Sequence, residues 1–80
     1  MPQHDIVSPL PGTFYRRSSP DAAPYVEPGA PVENDTVVGL VEVMKQFNDV
    51  EAGIRGRVAE ILVEDGDPVD AGQVLMRIDA

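Results

Sequence analysis

The sequence has 80 residues, a formal net charge of −8 and a hydrophobic fraction of 42%. This length allows one small domain, and the excess of acidic residues disfavours binding to nucleic-acid phosphates or anionic lipid headgroups. The absence of cysteine excludes disulfide bonds, thiolate catalysis and cysteine-ligated metals. No apolar run reaches the length of a membrane span, and residues 1–5 lack a signal-peptide pattern, so we expect a cytoplasmic protein.

Short segments rich in Val, Ile and Leu predict an all-β chain. We expect the N-terminal residues 1–5 to be disordered. Strands are then predicted at residues 6–8, 13–16, 37–43, 47–52, 58–63 and 74–79. Glycine and proline predict turns at residues 29–31 and 66–68. No segment has helical periodicity, and short strands at near-regular spacing favour a small sandwich or flattened barrel.

The two halves of the chain resemble each other. Residues 26–33 (VEPGAPVE) match residues 63–70 (VEDGDPVD) at an offset of 37 positions, whereas residues 11–14 match residues 55–58 at an offset of 44. The difference indicates an insertion of seven residues in the first half, between residues 14 and 26. Residues 16–24 lie in that interval and are rich in proline and turn-forming residues. We predict two similar β-rich halves, the first of which carries a protruding loop.

Lys45 is the only lysine of the chain. If residues 38–43 pair with residues 47–52, Met44 and Lys45 occupy the tip of a hairpin. Two-residue hairpin turns favour Asn-Gly because both central residues need positive φ, and a Met-Lys turn departs from that preference, as is typical of functional sites. A longer loop is the alternative geometry, and both geometries expose the amine. A lone exposed amine predicts covalent modification by a partner enzyme, which must first remove a proton.

Three motifs, one of which contains Lys45, resemble those of biotin carboxyl carrier domains. Residues 42–45 (EVMK), followed by residues 48–52 (NDVEA), are similar to the biotinyl-lysine signature, whose usual form is Glu-Ala-Met-Lys-Met. Residues 11–16 (PGTFYR) and 19–22 (SPDA) resemble the region leading into the thumb loop of bacterial acetyl-CoA carboxylase carriers. The predicted seven-residue insertion falls where that thumb belongs.

The resemblance implies a single domain over residues 1–80. Its fold would be a flattened barrel-sandwich hybrid of two four-stranded antiparallel sheets with pseudo-twofold symmetry. The attachment hairpin would span about residues 38–52, and the thumb would protrude at about residues 16–24. The implied thumb residues are Arg16, Arg17, Ser18, Ser19, Pro20 and Asp21.

The same resemblance implies that a biotin protein ligase attaches biotin to Lys45. Met44 and Gln46 would flank the cofactor, and Glu42 would help the ligase to recognise the hairpin. Biotin carboxylase would load a carboxyl group onto the biotin, and a carboxyltransferase would receive it. The implied acceptor is acetyl-CoA, in fatty-acid biosynthesis. The chain itself would be a non-catalytic carrier, monomeric as an isolated domain, with biotin as its covalent cofactor.

Alternatives remain at four points. Gln46 stands where the family usually has methionine, so an unmodified, degenerate carrier that only binds partners stays open. A lipoyl-type acyl carrier is disfavoured by Met44 and by the thumb. A small enzyme is disfavoured because the single His4 has no partner that suggests metal binding or general-base catalysis. Arg16 and Arg17 either reach the hairpin tip or are solvated.

Overall fold

The computed structural model describes residues 2–80, and this part of the chain contains eight β-strands and no helix. Met1, the first residue of the segment predicted to be disordered, lies outside the described residues. The strands are β1 (Gln3–Val7), β2 (Gly12–Tyr15), β3 (Pro31–Val32), β4 (Val37–Val43), β5 (Gln46–Glu51), β6 (Gly56–Ile61), β7 (Pro68–Val69) and β8 (Val74–Asp79).

The strands form two four-stranded antiparallel sheets. The strand order is β1-β8-β6-β3 in one sheet and β5-β4-β2-β7 in the other. The molecule is flattened, with extents of 37 × 27 × 19 Å. The predicted fold class, an all-β barrel-sandwich hybrid of two four-stranded sheets, is confirmed.

The two sheets are copies of one pattern. Replacing β1, β2, β3 and β4 by β5, β6, β7 and β8, and the reverse, converts the strand order of one sheet into that of the other. Individual hydrogen bonds repeat as well: the amide of Phe14 donates to the carbonyl of Asp67 at 2.8 Å, and the amide of Val58 donates to the carbonyl of Ala30 at 2.9 Å. These pairs obey the offsets of 44 and 37 found in the sequence, so the predicted internal repeat is confirmed.

The core lies between the inner faces of the two sheets. β2 shows how the strand alternation creates it, because Phe14 is fully buried while Thr13 and Tyr15 point to the other face. Full burial of a side chain of this class stabilises the fold by about 1.5–3 kcal/mol. The buried cluster comprises Ile6, Phe14, Val26, Val32, Val38, Val41, Val50, Ala52, Val58, Val63, Val69, Leu75, Met76 and Ile78.

The N-terminal segment corrects one expectation. Residues 1–5 were expected to be disordered, but Gln3–Val7 forms β1 and pairs with β8 along its whole length. The prediction was wrong from Gln3 onwards because backbone pairing with β8, a side-chain hydrogen bond from Gln3 to Asp79 and an ion pair between Asp5 and Arg77 order polar residues that bury little surface.

The strands β3 and β7 were not among the predicted strands, and their first residues, Pro31 and Pro68, lie in the predicted turns. Each has two residues and begins with proline, which lacks an amide donor. Both strands lie at the edge of a sheet, where a missing donor is tolerated. By contrast, β4 and β8 have the predicted bounds, and β5 and β6 differ from their predicted bounds by one or two residues.

Gly12 and Gly56 occupy equivalent places in the two halves, and both are crowded by backbone. A β-carbon at Gly56 would collide with the carbonyl oxygen of Asp79, and one at Gly12 would collide with the carbonyl oxygen of Glu42. Glycine therefore permits the close approach of neighbouring strands at the start of β2 and of β6.

We predict that Gly56→Ala lowers the free energy of unfolding by about 1–3 kcal/mol, the usual cost of forcing an extra carbon into a packed position. Urea denaturation measures the loss. Asp49→Ala serves as a control, because Asp49 is exposed on β5 and its replacement should change stability by less than about 0.5 kcal/mol. Equal stabilities of the Gly56→Ala variant and the original chain would contradict the close approach of β6 to β8.

Candidate functional site

The hairpin of β4 and β5 ends in a two-residue turn. Val43 pairs with Gln46 as the last residues of the ladder, which leaves Met44 and Lys45 as the turn. Their φ angles are 52° and 66°, so both are left-handed although neither is glycine. Positive φ at both central residues is the mark of a type I′ turn, whose twist matches that of the paired strands. The tighter of the two predicted geometries is therefore confirmed.

The tip of this hairpin is open to solvent. Met44 is 92% exposed, and Lys45 and Gln46 are exposed as well. Within residues 2–80 no side-chain hydrogen bond or ion pair engages the Lys45 ammonium group. The amine can therefore enter the active site of another protein without disrupting a contact of its own.

The base of the hairpin is braced from within. The Asn48 side-chain nitrogen donates to the carbonyl of Val41 across the strands at 3.2 Å, with a longer contact of 3.5 Å to the carbonyl of Gln46. Val41 is fully buried, so this bond ties the exposed part of β5 to a residue anchored in the core. This bond and the strand ladder together support the turn that carries Lys45.

Three side chains form a cluster on the outer face of the same sheet. Glu42 and Phe47 are directly paired across β4 and β5, and the Tyr15 hydroxyl donates to Glu42 Oε1 at 3.2 Å. The rings of Tyr15 and Phe47 have centroids 6.2 Å apart at a tilt of 54°, within the range of favourable aromatic pairs. The hydrogen bond to the Glu42 carboxylate is the main cause that raises the pKa of Tyr15 above its ordinary value.

The loop predicted as the thumb leaves the sheet directly after Tyr15. The amide of Tyr25 donates to the carbonyl of Arg16 at 2.8 Å and closes the loop at its base. The amide of Arg16 donates to Asp65 Oδ1 at 2.7 Å. The guanidinium groups of Arg16 and Arg17 donate to main-chain carbonyls of Val26 and Ala22, at 3.2 and 3.4 Å. These bonds hold both arginines on their own loop.

A cavity of about 300 Å³ separates this loop from the hairpin. Tyr15, Phe47 and Asp65 line the side of the sheets, and Arg17, Ser18, Ser19 and Pro20 line the side of the loop. The structure thus brings four of the six predicted thumb residues to one cavity beside the hairpin, while Lys45 lies beyond it at the tip.

The sequence motifs predicted no site role for Tyr15, Phe47 or Asp65. The signal for the first two was present, because side chains alternate between the faces of a strand and Tyr15 and Glu42 directly follow buried Phe14 and Val41. Pairing of Glu42 with Phe47 across the hairpin adds Phe47 to the same outer face. Within residues 2–80 the structure contains no group of three His, Asp or Glu side chains suited to a metal ion. The same residues contain no helix long and apolar enough to cross a membrane.

Comparison with known proteins identifies this arrangement. A family model described as "Biotin-requiring enzyme" (Biotin_lipoyl) matches residues 4–78. The chain belongs to the biotin/lipoyl family. The biotin/lipoyl domain is also similar in structure to part of the urea carboxylase of Kluyveromyces lactis, with a TM-score of 0.80 and 28% identity over 99% of this chain and 6% of that one.

Several relatives share much of the sequence of this biotin/lipoyl domain. The biotin carboxyl carrier protein of acetyl-CoA carboxylase from Chlamydia trachomatis is 56% identical over 73 residues, which cover 91% of this chain and 44% of that protein. The protein of the same name from Pseudomonas aeruginosa is 45% identical over 73 residues, covering 91% of this chain and 47% of that protein. The domain therefore spans somewhat less than half the length of these relatives.

The strained turn leads to a stability prediction. Replacing Met44 and Lys45 together by Asn and Gly should raise the free energy of unfolding by about 1–2 kcal/mol, because a left-handed conformation costs other residues about 1–3 kcal/mol each. Urea denaturation measures the gain. Lys45→Arg is the matched control, since it keeps a β-carbon in the same conformation and should leave stability unchanged. No gain from Asn-Gly would contradict a left-handed turn.

The Tyr15 hydroxyl leads to a pH prediction. The chain has two tyrosines, so in a Tyr25→Phe background the ultraviolet absorbance reports Tyr15 alone. Its pKa should lie above the ordinary tyrosine value, and Glu42→Gln should bring it down, because the carboxylate is the main cause of the shift. Because the folded-state pKa of Tyr15 is raised, its hydrogen bond to Glu42 stabilises the fold below the ordinary tyrosine pKa. This stabilisation is lost as the pH rises through the raised value. Identical Tyr15 titrations with and without the Glu42→Gln substitution would refute the bond.

Proposed function

We propose that this domain is the biotin carrier of an acetyl-CoA carboxylase and that Lys45 is its point of attachment. Support comes from family membership and from relatives named as biotin carboxyl carrier proteins of that enzyme. The observation that carries the proposal is the presentation of the chain's only lysine at the apex of a stiff, exposed hairpin.

The hairpin suits a covalently attached group for physical reasons. A two-residue turn projects Lys45 past the last paired residues, Val43 and Gln46, so an active site can enclose the amine without contacting the body of the domain. Asn48 and buried Val41 keep the base of the hairpin in place. Attachment therefore needs no unfolding, and the side chain becomes a flexible tether on a rigid support.

The acceptor chemistry requires a neutral amine. In our proposal a biotin protein ligase would remove a proton from the Lys45 ammonium group, and the freed amine would attack a biotin carboxyl group that ATP has activated as an acyl adenylate. The amide C–N bond would form as the C–O bond to the adenylate breaks and AMP leaves. Met44 and Gln46 flank the amine on either side and would meet the ligase together with it. Glu42 lies on the same strand and offers a carboxylate that the enzyme can recognise.

The proposed role is transport, and the domain performs no catalysis of its own. When attached, biotin supplies a ring nitrogen that accepts a carboxyl group at one active site and gives it up at another. The partners are a biotin carboxylase and a carboxyltransferase, with acetyl-CoA as acceptor in fatty-acid biosynthesis, and the setting is the cytoplasm. The net charge of −8 favours partner surfaces that are basic.

Co-expression with a biotin protein ligase and free biotin tests the proposal. We expect intact-mass spectrometry to show one biotinyl adduct, and peptide mapping to place it on Lys45. Lys45→Arg should abolish the adduct and leave the circular dichroism spectrum unchanged, since the arginine occupies the same turn but cannot form the amide.

The contrary outcomes have different meanings. An unmodified mass would favour a degenerate carrier, for which Gln46 in place of the usual methionine is the sequence feature to examine. Gln46→Met would then be expected to restore modification. A lipoyl adduct in cells that supply both cofactors, with no biotin adduct, would replace the proposal by a lipoyl-type acyl carrier.

A further inference from the structure

Glu42 is held in place before any partner arrives. Its Oε1 accepts the hydrogen bond from Tyr15, and the side chain is only partly exposed. The ion pairs among residues 2–80 are Arg55 with Glu33 and Arg77 with Asp5 and Glu60, so the charge of Glu42 is not neutralised by a basic side chain. A carboxylate accepts several hydrogen bonds, which leaves Oε2 available to a basic group of another protein.

Tyr15 reaches Glu42 because of the strand register. Thr13 is paired directly with Glu42, and Tyr15 is paired with Leu40, two positions back on β4. Side chains two apart share a face, so the tyrosine spans a diagonal and brings its hydroxyl to the carboxylate. The ring of Phe47, which is paired with Glu42 across β4 and β5, packs against the ring of Tyr15.

The same tyrosine ends β2 where the thumb begins, and it lines the cavity shared by thumb and hairpin. It therefore connects the two parts of the site that sequence reasoning treated separately. Removing only its hydroxyl would free the Glu42 side chain to rotate, while the aromatic packing against Phe47 would remain.

We propose that Tyr15 is a positioning residue for the modification of Lys45: its hydroxyl holds the Glu42 carboxylate in one orientation on the outer face of the hairpin, where a basic group of the ligase binds it. This inference rests on the proposed function. Ordering a flexible glutamate side chain on binding lowers affinity, and the hydrogen bond from Tyr15 orders Glu42 before binding. The effect belongs to binding of the carrier, so it falls on KM, while kcat, which depends on the lysine and the enzyme, stays unchanged.

Initial rates with purified biotin protein ligase, ATP and biotin test the inference at varied carrier concentration. For Tyr15→Phe we expect KM for the carrier to rise about fivefold, the effect of having to order one flexible side chain on binding, with kcat unchanged. Tyr25→Phe is the matched control, since it removes the other tyrosine hydroxyl of the chain outside the cluster, and it should leave both constants as they are. Circular dichroism verifies that each variant is folded.

A double-mutant cycle separates positioning from packing. If Tyr15 acts through the charge of Glu42, the KM of the Tyr15→Phe/Glu42→Gln double variant should equal that of Glu42→Gln alone. Additive effects of the two substitutions, or an unchanged KM in Tyr15→Phe, would overturn the inference while leaving the carrier function intact. Failure of the unmutated chain to be biotinylated would overturn both.

Discussion

The pairing of β4 with β5 is the constraint on which the candidate functional site depends. Because Val43 and Gln46 complete the ladder, only two residues remain to reverse the chain, and both must take left-handed conformations. Neither Met44 nor Lys45 favours that geometry. The ladder, together with the brace from Asn48 to Val41, supplies the energy that keeps them there. As a result, Lys45 projects beyond the last paired residues of the ladder.

The two similar halves of the fold together support the β4–β5 ladder. Each half supplies four strands in the same order, and equivalent hydrogen bonds close equivalent positions. The inner faces of the two sheets share one buried cluster, so a small domain without cysteine obtains a continuous core. The strained conformations at the hairpin tip persist because hydrogen bonds and the buried cluster stabilise the sheets beneath it.

Sequence alone was sufficient for the main features, for identifiable reasons. β-branched residues marked β4 and β8 at their true bounds, and the single lysine marked the tip. The repeat could also have revealed β1, because shifting β5 back by 44 positions predicts a strand ending at Val7. Composition concealed that strand, since residues such as His4 and Asp5 are ordered by backbone pairing and not by burial.

Side-chain geometry was the part that sequence could not supply. Strand alternation and pairing place Tyr15, Glu42 and Phe47 on one face. They do not predict that the Tyr15 hydroxyl donates a hydrogen bond to the Glu42 carboxylate. That choice depends on the strand register and on rotamers set by neighbouring rings. Likewise, the composition of the thumb predicted a protruding loop, whereas its anchoring through Asp65 joins residues far apart in the chain.

The insertion of the thumb in one half only gives the domain a direction. Apart from this loop, the strand pair β4–β5 has a close counterpart in the strand pair β8–β1 of the other sheet. The loop, the cavity beside it and the lysine all mark the same end. In the proposed function, the loop and the cavity would let an enzyme that modifies Lys45 distinguish the end that carries the amine from the opposite end of a nearly symmetric body.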